Sequence, residues 1–164
     1  MADVPFSPPG VPQGWDKLAR PTPGTLWTAV QPLELERPDR FRANLVLTRD
    51  DLGGLTFRDW QVGSDEVLPT MLRDYLLLDL ERIDVDGQPG GRRLAHHVDG
   101  KARALTMEQW FVADGDRGWT LTATVETWSY DALADELAAV AAGWQPLTGA
   151  PAASSAEPGD GEPS

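Results

Sequence analysis

The sequence predicts an α+β protein: one antiparallel sheet, two principal helices, an extended N-terminal lead-in and a disordered acidic tail. Three observations carry that expectation. Segments rich in β-branched and aromatic residues alternate with Asp-Gly turn clusters, two stretches repeat apolar residues at helical spacing, and the chain after Leu147 contains no large apolar residue.

Val4–Trp15 carries Pro5, Pro8, Pro9 and Pro12, and each proline fixes φ and keeps the residue before it out of the helical region. An extended lead-in follows. Leu26–Val30 and Phe41–Thr48 read as strands from their aliphatic and aromatic content. Ser64 with Asp65 and Glu66 reads as a helix start, a capping hydroxyl followed by acids at the positive end of the helix dipole. Val67, Leu68, Met71, Leu72 and Tyr75 then form a helical stripe, and Pro69 fits if the helix begins near residue 66.

Leu77–Val85, Arg92–Val98, Arg103–Val112 and Gly118–Glu126 form a strand meander. It is broken by the clusters Asp86–Gly91, Asp99-Gly100 and Asp114–Asp116. Asp-Gly pairs supply the positive φ of tight hairpins, so consecutive strands are expected to pair antiparallel. In the last strand Trp119, Leu121, Ala123 and Val125 alternate with Thr120, Thr122 and Thr124. The apolar row is expected under a helix layer and the threonine row on a wetter face. Ser129-Tyr130-Asp131 opens a closing helix lined by Leu133, Leu137, Val140 and Ala141, and Gly143 ends it.

The chain is 164 residues long, which suits one domain of roughly 100–200 residues, expected over residues 1–146 with the tail at 147–164. With no cysteine, disulfide scaffolds, thiolate metal sites and cysteine nucleophiles are excluded. The net charge of −12 argues against nucleic acid and anionic membrane surfaces as partners. The N-terminus lacks a basic region followed by an apolar run, and no apolar stretch approaches the roughly 20 residues of a spanning helix. A cytoplasmic location with no membrane insertion is the expectation.

Several residues in this order resemble one family: Pro12-Gln13-Gly14-Trp15, Ala43–Leu47 before a helix, Gly91-Arg92-Arg93-Leu94, Gln109-Trp110-Phe111-Val112, and Gly118–Thr124 before an amphipathic helix. Over residues 4–146 the chain resembles the LpqN/LpqT group of actinobacterial proteins with the PsbP-like fold. That resemblance implies an antiparallel sheet of about six strands with helices on its faces. It also implies a binding role, since relatives of this fold act as accessory subunits, import factors or chaperones and share no catalytic residue. The signal and acylated cysteine of the lipoprotein members are not matched here.

The residues themselves carry no complete catalytic pattern. His96 and His97 are the only histidines, and strand neighbours point to opposite faces, so the pair is poorly placed to share one metal. Asp84-Val85-Asp86-Gly87 begins like a calcium loop, but its twelfth position is Ala95 instead of glutamate. No P-loop or Gly-x-Ser-x-Gly is present, and no cofactor is indicated. Asp79 and Glu81 share a strand face, which solvation explains as well as chemistry does.

Seven tryptophans remain. Trp119 reads as core, while Trp60 and Trp128 fall between predicted elements and are expected to be partly exposed. The leading expectation is a non-enzymatic accessory or chaperone-like module for another protein, binding through Thr120, Thr122 and Thr124 with Trp110, and with Trp60 as a further candidate. A carrier of a small apolar or lipid-like ligand is the alternative, followed by a hydrolase using His96 or His97 with Asp99. Self-association as a dimer through an uncovered sheet face or edge is also open.

Overall fold

The computed structural model describes residues 6–19 and 22–145, so the tail expected at 147–164 lies outside the described residues. In chain order the elements are β1 (Asp16–Lys17), β2 (Trp27–Val30), β3 (Asn44–Asp51), α1 (Phe57–Met71), β4 (Arg73–Val85), β5 (Gln88–Val98), β6 (Ala104–Asp114), β7 (Arg117–Glu126) and α2 (Tyr130–Gly143). The strands form one antiparallel sheet in the order β1-β2-β3-β7-β6-β5-β4. There are seven among the described residues, not about six, because Asp16–Lys17 adds a short strand beside β2.

After β3 the chain crosses one sheet face as α1 and reaches the outer edge at β4. The meander β4–β7 then walks back until β7 pairs with β3. The β4–β5 hairpin closes on Asp86 and Gly87, both at positive φ (51° and 79°). Such a turn matches the strand twist and is the reason for Asp-Gly at this position.

Two expectations need correction. Helix α1 begins at Phe57, not near Ser64. Its cap is Thr56, whose hydroxyl accepts the Asp59 N–H at 3.1 Å and donates to the Asp59 carboxylate at 2.8 Å. The Thr56 hydroxyl thus caps the helix N-terminus, with the Asp59 carboxylate as its own acceptor. Pro69 accordingly sits near the helix C-terminus, where the hydrogen bond it removes is one of the last. Tyr75 belongs to β4, which starts at Arg73 and contains two register irregularities, between Arg73 and Leu76 and between Leu77 and Asp79.

The two sheet faces differ in kind. Trp27, Ala29, Leu45, Leu47, Trp110, Val112, Trp119, Leu121, Ala123 and Val125 form a buried core closed by Leu137 of α2 and by Trp144. The apolar row of β7 thus faces a helix, as its alternation predicts. Glu108 lies in this layer at 2 % exposure. Arg92 Nε donates to it at 2.6 Å and the Tyr130 hydroxyl at 2.8 Å. A buried carboxylate is tolerated only when paired and hydrogen-bonded, so these bonds fasten the start of α2 to β5 and β6. No described helix is long and apolar enough to cross a membrane.

Both tyrosines of the chain are held above the usual phenol range. Burial, helped by the bond to Glu108, pushes Tyr130 up to about 12. Burial also raises Tyr75, with Arg93 opposing and Asp65 adding. For a group raised on folding, the stabilisation is present below the unfolded value, here 10.0, and is lost as pH climbs through the folded value. Alkaline titration should therefore show phenolate absorbance developing late, and Tyr130→Phe should remove the step near 12 and flatten the loss of stability between pH 10 and about 12. Two phenols ionising normally near pH 10 in the folded protein would contradict this packing.

Candidate functional site

The other sheet face mixes threonines and other polar side chains with a smaller apolar cluster around Phe111 and Trp60. Register sets which residues share it: Thr120, Thr122 and Thr124 of β7 stand opposite Phe111, Gln109 and Met107 of β6, and Gln109 stands opposite Arg93 of β5. On the β3 side Thr48 flanks Thr120 and Val46 flanks Thr122. All three threonines of β7 are half-buried. Trp110 pairs with Leu121, so it lies on the α2 face, 8 % exposed, and is not part of the threonine face. Sequence alternation gives each strand two faces but not how neighbouring strands register, and register decides this point.

Helix α1 is pinned over this face at two places. At its N-terminal end Phe57 and Trp60 close on Phe111: Phe57 stacks on the Phe111 ring at 5.8 Å and Trp60 meets it edge-on at 5.9 Å. Two glycines make room for these rings. A Cβ on Gly118 would stand 2.5 Å from the Trp60 indole, and one on Gly91 would overlap the Phe111 ring. Trp60 is buried, contrary to its expected exposure, while Trp128 is 78 % exposed. The Trp60 indole N–H donates to Asp50 at 3.1 Å, and this bond ties α1 to the end of β3.

The second pin is Arg93, 2 % exposed. Its guanidinium donates to Asp65 of α1 at 2.5 and 3.1 Å and to Gln109 at 2.7 Å, and lies 5.0 Å above the Phe111 ring. Gln109 in turn donates to Thr122 at 3.1 Å. A polar chain therefore runs from the helix to the threonine row.

Between the pins α1 carries two small residues, Gly63 and Ser64. Trp60, Gly63, Ser64 and Val67 follow at i, i+3, i+4 and i+7, and all line one groove. The groove has a volume of about 580 Å³, with a floor that includes Thr48, Thr120, Gln109 and Arg93 and a wall of Leu55, Trp60, Val67, Leu68 and Met71. Thr120 thus lies in it and Thr122 is linked to it through Gln109, while Thr124 and Trp110 do not line it. Asp50 and Asp65 stand out in the sequence only as members of the acid pairs Asp50-Asp51 and Asp65-Glu66 at turns and helix starts, and nothing in the sequence marks Arg93, Gln109 or Phe111 as site residues. Thr56-x-x-Asp59, a capping pattern before an apolar run, could have placed the helix and with it Trp60.

The remaining candidates do not assemble. His96 pairs with Thr106 and His97 with Leu105, placing the rings on opposite faces. The Asp99 carboxylate is held below its usual range, first by the backbone N–H of Arg103 and also by the Arg103 side chain and Lys101 N–H. Burial lowers His97, with Asp99 opposing. No group of three or more His, Asp or Glu among the described residues is arranged to hold a metal.

If Gly118 exists to seat Trp60, Gly118→Ala should cost about 1–3 kcal/mol by overpacking, and much less in a Trp60→Ala background. Denaturant unfolding of the four proteins of that cycle measures the coupling; equal costs in both backgrounds would contradict the seating.

No family model matches the sequence, and no curated protein does either. Solved structures do. The Pseudomonas aeruginosa protein PA94, of unknown function, aligns at TM-score 0.63 and 16 % identity, over 89 % of this chain and 85 % of its own. LpqN of Mycobacterium tuberculosis, involved in cell envelope biogenesis, aligns at 0.61 and 16 % identity, over 83 % of this chain and 82 % of its own. CyanoP, the PsbP of the cyanobacterium Synechocystis, aligns at 0.56 and 16 % identity, over 83 % of this chain and 84 % of its own. The fold of this chain is therefore LpqN-like and PsbP-like, as the residue order from the Gly-Trp lead-in to the closing helix implied.

Proposed function

We propose that this protein is a non-enzymatic accessory module that holds a segment of another protein in the groove between α1 and the threonine face. The observation that carries the reading is Gly63. Glycine inside a helix costs about 1 kcal/mol against alanine, and here a Cβ would meet nothing within 4 Å. No internal packing requires the missing side chain. What its absence does is keep the groove open beneath the middle of α1. The similarity to LpqN and PsbP supports the fold that frames the groove, and the scattered histidines and engaged Asp99 supply no arrangement that favours catalysis. Arg93, Gln109, Thr48 and Thr120 place hydrogen-bonding groups in the floor beside an apolar wall, a mixture that can serve both the backbone and the side chains of a peptide.

Gly63→Phe should fill the groove while leaving the melting temperature unchanged or raised, because phenylalanine is the better helix former. With the full chain as bait in lysate of the source cells, a protein recovered stoichiometrically by the wild type and lost with Gly63→Phe is the expected result. Equal recovery by both would move docking to another surface, and recovery of nothing by either would overturn the protein-binding role.

A further inference from the structure

We infer that the segment taken up in this groove is basic as well as apolar. A lysine or arginine lies at the Asp50–Asp59 end, and large apolar side chains run along Val67, Leu68 and Met71. The inference rests on the groove reading above and adds the chemistry of the occupant.

The two ends of the groove differ in character. Asp59 in the first turn of α1 and Asp50 at the end of β3 mark one end, and Met71 marks the other. Twelve helical steps of 1.5 Å separate Asp59 from Met71, about 18 Å. The carboxylates at the first end are engaged but not neutralised. One oxygen of Asp50 accepts the Trp60 indole and one oxygen of Asp59 accepts the Thr56 hydroxyl. Among the described residues neither aspartate is in an ion pair. The cation lining the groove, Arg93, is already bound to Asp65 and Gln109. The partial positive charge at a helix N-terminus amounts to about half a unit and offsets only part of two carboxylates.

The opposite end is apolar and wet: Met71 is 73 % and Val67 49 % exposed. Large apolar groups left in water beside a cleft mark a contact surface more readily than a free one. A partner segment that covers them and carries a cation about 18 Å or less away satisfies both ends at once. The net charge of −12 would also draw such a segment toward this protein from a distance.

The test is selection of a displayed library of short random peptides on the full chain, with Gly63→Phe as the counter-selection. Enriched sequences should carry Lys or Arg beside large apolar residues. A synthetic peptide of that sequence should bind Asp50→Asn/Asp59→Asn about three- to tenfold more weakly, the worth of two exposed ion pairs. Asparagine keeps an acceptor for Trp60 and Thr56, so the fold is retained. The charge-matched control Asp135→Asn/Glu136→Gln, on α2, should bind as the wild type does. Groove-dependent peptides without a basic residue, or equal weakening by the control, would overturn this inference and leave the groove reading in place. Failure to enrich any groove-dependent peptide would overturn both.

Discussion

A buried arginine organises the open side of this molecule. Arg93 is almost fully enclosed, and a guanidinium cannot shed its charge, so the structure must bring acceptors to it. Asp65 comes from the helix and Gln109 from the neighbouring strand. Because the ion pair spans helix and sheet, it fixes how far α1 stands from the strands. A helix packed by aliphatic side chains alone would settle wherever its ridges fit. This one is held at a height set by the reach of an arginine and an aspartate, and the small residues Gly63 and Ser64 leave the space beneath it unfilled.

The same sheet therefore supports two kinds of surface. On the α2 side tryptophans, leucines and valines seal a core, and the carboxylate buried beside it, Glu108, is matched by Arg92 and Tyr130. On the α1 side the Phe111 and Trp60 rings occupy the space that side chains at Gly91 and Gly118 would fill. Those rings anchor only the N-terminal half of the helix. Its C-terminal half keeps Val67 and Met71 exposed to water.

Much of this fold was legible in the sequence. The strands from β4 to β7, the three turns that join them and the closing helix are visible because turn residues and period-two alternation are local signals, although β5 begins at Gln88, inside the expected Asp86–Gly91 turn. The start of α1 was missed because Ser64 imitates a cap that Thr56 already supplies, and the β4 boundary was missed because Tyr75 happens to continue the helical spacing. The site was less legible. Thr120 and Trp60 were among the named candidates and do line the groove, but Trp110 was assigned to the wrong face, since only the pairing of β6 with β7 shows that it sits beside Leu121. Arg93, Asp65 and Gln109 lie on three different elements, and no periodicity within one element announces that they meet.

The order of strands has a consequence for how the chain comes to be folded. Asn44–Asp51 of β3 pairs with Arg117–Thr124 of β7, so the central ladder joins segments separated by the helix and the whole meander. Long-range pairings of this kind close slowly, because loop entropy is lost before the contacts form. On a ribosome the hairpin of β2 and β3 emerges early and must wait, its apolar Leu45 and Leu47 uncovered, until nearly all of the domain has been made. The interval between the emergence of β3 and that of β7 is then the one in which this hairpin lacks its partner strand.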